Sequence, residues 1–119
     1  MTEGKPIHVY PNSSVRRVVA FIPPGHMHVR FIVELEDQVI VLQEATVAGI
    51  VRAYAMVALH PSRRAVELVS RRLGRGERKR LFAEHQLVES GRREEEVIEW
   101  ALKMLGEKAP ASEGQRLDG

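Results

Sequence analysis

Two groups of residues have types and spacing that suit chemistry. The first is His26 and His28, an H-x-H pair beside Gly25. On a strand, residues i and i+2 point to the same side, so both imidazoles can reach one metal ion. A third ligand would come from His8, His60, His85 or a glutamate. No second motif with ligand spacing accompanies the pair. Two exposed histidines at a loop-to-strand junction explain it more simply, and no cofactor is expected.

The second group is RRLGRGERKR, residues 71–80. Arg71, Arg72, Arg75, Arg78, Lys79 and Arg80 suit phosphate contact, each cation releasing condensed counterions from a nucleic acid. Gly74 and Gly76 let the backbone follow a curved surface. Arg63 and Arg64 extend the same patch. The segment lacks the G-x-x-x-x-G-K-[ST] pattern of a phosphate loop. Aromatic residues are only 5% of the chain, too few for reading several bases by stacking. The chemistry expected here is therefore contact with an RNA or DNA backbone, with weak sequence preference. The competing reading is a basic face paired to glutamates, Glu94, Glu95, Glu96 and Glu99 among them.

Other chemistries find little support. The chain has no cysteine, which excludes disulfides, thiolate nucleophiles and cysteine-bound metal. There is no G-x-S-x-G elbow. Ser13, Ser14, Ser62 and Ser90 have turn or cap readings. Glu34 and Glu36 alternate beside Arg30 as a charged outer sheet face. No catalytic residue and no small-molecule substrate is evident.

Charge supports a local basic surface. Net charge is +2 over 119 residues. Residues 1–80 hold 13 bases and 7 acids, whereas residues 81–119 hold 5 bases and 9 acids. Residues 63–80 alone hold 8 bases and 2 acids, and such a local excess steers polyanions. Arginine outnumbers lysine 14 to 4. That balance, with no cysteine and one asparagine, suits a thermophile as well as a GC-rich genome. The N-terminus has no signal-peptide pattern, and no run approaches a membrane span. A soluble, cytoplasmic protein is expected.

The elements that must position these residues read as an α+β fold. One domain over residues 1–106 is expected, followed by a mobile tail over 107–119. IHVY, residues 7–10, and VRRVVAFI, residues 15–22, read as strands. HVRFIVELE, residues 28–36, alternates as a half-buried strand, and VIVL, residues 39–42, returns beside it. Residues 44–61 read as a helix ending near Pro61. It is apolar on most sides, so one sheet cannot cover it. Ala45, Gly49, Ala53 and Met56 are candidates for a face that meets another helix or another subunit, in a homodimer or as the accessory subunit of a complex.

Residues 62–74 fit a second helix from Ser62 to Gly74, with a strand reading of AVELV left open. Residues 80–89 alternate as a strand, and Phe82 belongs to its core side. Ser90 then caps a helix carrying Val97, Ile98, Ala101, Leu102 and Leu105 as its apolar stripe. The expected fold is a small antiparallel sheet of three to five strands packed against two or three helices.

Overall fold

A computed structural model describes residues 4–74 and 84–106 of the chain. It is an α+β fold with two small antiparallel sheets and two helices. Strands β1 (Val15–Phe21), β2 (Arg30–Leu35) and β3 (Val39–Gln43) form a meander in that order. Helix α1 (Glu44–Ala58) leaves β3 without a linker. Strands β4 (Leu68–Arg72) and β5 (His85–Glu89) form the second sheet, and α2 (Glu94–Leu105) follows.

The meander arises from β-branched alternation and two turns. In the first turn Gly25 takes φ 82°, a left-handed value that glycine adopts without Cβ strain. His26 N–H closes it on Pro23 O at 3.0 Å. The second turn is tight, with Leu35 N–H donating to Gln38 O at 2.8 Å. Cross-strand partners share a face. Val18, Val33 and Ile40 form one row, and Ala20, Phe31 and Leu42 the next. Along β3, Ile40 and Leu42 are half-buried while Val39, Val41 and Gln43 are exposed. Helix α1, which packs on β5, β3 and β2, therefore covers the Ile40–Leu42 face.

Residues 7–10 join no sheet among the described residues, contrary to the strand expected there. Without a neighbouring ladder, side chains hold this segment instead. Tyr10 donates to Asp37 Oδ1 at 2.9 Å, and Gln38 Nε2 donates to the Tyr10 oxygen at 2.6 Å. The Gln38 bond favours the phenolate, but lost hydration and the Asp37 carboxylate together outweigh it. The Tyr10 hydroxyl consequently sits above its ordinary pKa.

The helix expected over residues 62–74 is replaced by β4. Leu68–Arg72 pairs residue by residue with β5, from Leu68 opposite Glu89 to Arg72 opposite His85. The 3.6-residue stripe at Val66, Val69 and Leu73 is real, but helix formation there would leave β5 without a ladder partner. A lone strand's unpaired backbone groups outweigh a weak propensity.

Ser90 does not cap α2. Its Oγ accepts from Arg92 N–H at 3.1 Å, and the helix starts after Arg93. There the Glu96 carboxylate accepts from Arg93 N–H at 3.1 Å. Gly106, at φ 74°, ends the helix in the left-handed conformation. Val97 on α2 and Leu35 on β2 are the large apolar side chains that are well buried among the described residues, each 7% exposed. No helix of the described residues is long and apolar enough to cross a membrane. The tail expected over 107–119 lies outside the described residues.

Candidate functional site

The basic patch is built on β4 and on the segment that leads into it. Its described arginines largely meet carboxylates. Arg72 Nε binds the Glu84 carboxylate, and Arg63 Nη2 lies 3.5 Å from Glu89 Oε1. Glu94, the first residue of α2, accepts from the N–H groups of Arg64 and Ala65, the latter at 3.0 Å. These two backbone donors, helped by the charges of Arg63 and Arg64, hold the Glu94 carboxyl below the ordinary carboxylate range. Arg92 reaches Glu67 at 3.3 Å, while Arg93 meets Glu95 and Glu96. Arg72 and Arg63 thus pair with Glu84 and Glu89, beside or on β5, whereas Glu94 of α2 is bonded by the patch backbone. Arg75, Arg78, Lys79, Arg80 and Phe82 lie outside the described residues.

The histidine pair sits before β2 rather than on it. His26 belongs to the turn closed on Pro23, whereas His28 Nδ1 lies 3.6 Å from Glu44 Oε1. Among the described residues, no three His, Asp or Glu side chains are grouped so as to hold a metal. His28 instead joins His85 in lining a cleft that spacing along the sequence did not reveal. This cleft of about 440 Å³ opens between the start of β2, the first half of α1 and the start of β5. Its charged lining is His28, Arg30, Glu44, Arg52, Glu84 and His85. Glu44 is fixed by Val29 N–H at 2.6 Å, and Arg52 donates through Nη2 to Leu87 O.

No family model, curated protein or solved structure matches this chain.

The largest departure from an ordinary surface is apolar. Of the expected interface residues, Gly49 is buried and Ala45, Ala53 and Met56 are half-buried. Gly49 faces β5 of its own chain, and a Cβ there would come within 2.6 Å of Leu87 Cδ1. The opposite side of α1 is uncovered. Ile50, Val51 and Tyr54 are 51%, 60% and 68% exposed. With Val47 and Ala58 they follow i, i+3, i+4, i+7, i+11 spacing, which gathers them into one stripe without a charge.

A second apolar surface lies on the sheet face away from α1. Val19, Ile32 and Val41 line up there across the three strands, with Phe21 and Val39 alongside. Val39, Val41 and Phe21 are all exposed. The Arg17–Glu34 ion pair, at 2.8 Å, borders this surface. Strand alternation predicts a polar outer face from β2 alone; β1 and β3 make it apolar.

Proposed function

We propose that this chain is an interaction protein that works as a homodimer, with α1 at the contact between copies. The carrying observation is the uncharged stripe of exposed Ile50, Val51, Tyr54 and Ala58, continued by half-buried Val47. Large contiguous apolar surface is uncommon on monomers and marks association sites. A two-fold axis brings the same stripe from both copies together, so each supplies the other's matching surface without desolvating a charge. Burying several aliphatic side chains and a tyrosine on each side gives the apolar centre of a stable interface. The ion pairs of Arg63, Arg72 and Arg92 suit a heat-stable assembly, and the lack of cysteine suits the cytoplasm. Light scattering tests the reading on the parent and on Val51→Glu/Tyr54→Glu. The parent should run as a dimer and the variant as a folded monomer. A monomeric parent would remove the proposal.

The second reading is contact with an RNA or DNA backbone through Arg63, Arg64 and residues 71–80. It is favoured by the local excess of residues 63–80, where eight bases stand against two acids. A dimer would double the patch. Binding to RNA and to duplex DNA at two salt concentrations is the test. Changing Arg75, Arg78, Lys79 and Arg80 to serine should weaken binding and flatten its salt dependence. Lack of binding by the parent at low salt ends this reading.

A further inference from the structure

The cleft between β2, α1 and β5 has the volume of a small-molecule site. Its two guanidiniums and two carboxylates balance in number but are not paired with one another. Both carboxylates in the lining are already engaged. Glu44 accepts from Val29 N–H and faces His28, while Glu84 pairs with Arg72 from outside the cleft. The two guanidiniums are not neutralised in this way. Arg52 donates to the uncharged Leu87 carbonyl. Arg30, at the start of β2 and in register with Phe21 and Gln43, lines the cleft and is half-buried, and its guanidinium forms no ion pair with a described carboxylate. A guanidinium presents five donors in a planar fork that matches the two oxygens of an oxyanion. His28 and His85 add ring nitrogens at the same opening.

We propose that this cleft binds a small ligand by an oxyanion group, a carboxylate or a phosphate, held on Arg30 and Arg52. Arg30 supplies the open fork, and Arg52 is oriented by its bond to Leu87. The site is independent of the α1 stripe, which occupies another side of that helix.

Calorimetric titration of the full chain with inorganic phosphate and, separately, with succinate tests this. Saturable binding of at least one probe is expected, and the probe that binds identifies the group. Arg30→Gln should weaken binding about tenfold or more, since a charge-assisted fork is lost. Because Arg30 forms no ion pair with a described carboxylate, the variant's melting temperature should stay near the parent's. Arg16→Gln is the control: Arg16 is on β1 and pairs with Glu36, away from the cleft. It should bind like the parent. No saturable binding of either probe overturns the proposal, as does equal weakening by Arg16→Gln and Arg30→Gln.

Discussion

Gly49 shows how one residue's meaning depends on what faces it. In a helix interior, glycine is less favourable than alanine by about 1 kcal/mol. Replacement by alanine would ordinarily stabilise α1. Here the new Cβ would meet Leu87 at 2.6 Å from Cδ1 and 3.0 Å from Cβ. The flexible methyl can swing away, but Leu87 Cβ is fixed to β5. Overpacking of this kind costs about 1–3 kcal/mol, so Gly49→Ala should lower the urea midpoint. Gly49→Ala combined with Leu87→Ala should lose less than the two single changes added together. Glu94 gives a second prediction at this scale. Its carboxyl is depressed in the folded protein by the Arg64 and Ala65 N–H donors. A depressed carboxylate adds stability above its unfolded pKa and loses it as pH falls through the folded value. Glu94→Gln should therefore be less stable than the parent at neutral pH. Denaturant midpoints should converge as the medium is acidified below the carboxylate range. A gap that persists unchanged in acid would contradict that role.

At the scale of elements, local pattern and non-local pairing contributed differently. The meander β1–β2–β3 and both helices α1 and α2 were legible, because alternation and the 3.6-residue stripe are local signals. The β4 strand was legible only as the second reading, the strand left open over AVELV. Val66, Val69 and Leu73 fit a helix, and only pairing with β5, across residues 73–84, overrides that fit. The sequence also showed that α1 has more apolar surface than one sheet can cover. It could not show which side its own chain takes. Gly49 and its neighbours face β5, leaving Ile50, Val51 and Tyr54 outside. The cleft was equally hidden, since β2–β3 pairing brings His28 to Glu44 and only the contact of α1 with β5 adds His85. The two apolar surfaces lead to separable expectations. Val41→Glu, on the sheet face, should leave the dimer intact by light scattering. A monomer from Val41→Glu would move the contact from α1 to the sheet.

At the scale of the whole fold, few large side chains of the described residues are well buried, and many apolar ones face outward. A domain of this size depends on most of its apolar surface leaving water. In the proposed dimer, association would supply what the chain does not bury alone and would link stability to protein concentration. The thermal midpoint should rise with concentration over a hundredfold range and become independent of it in the α1 variant. The most direct measurement is sedimentation equilibrium of the parent at several concentrations. A mass of twice the chain, falling toward the chain mass on dilution or on Val51→Glu/Tyr54→Glu substitution, is predicted. A single chain mass at every concentration would contradict the account.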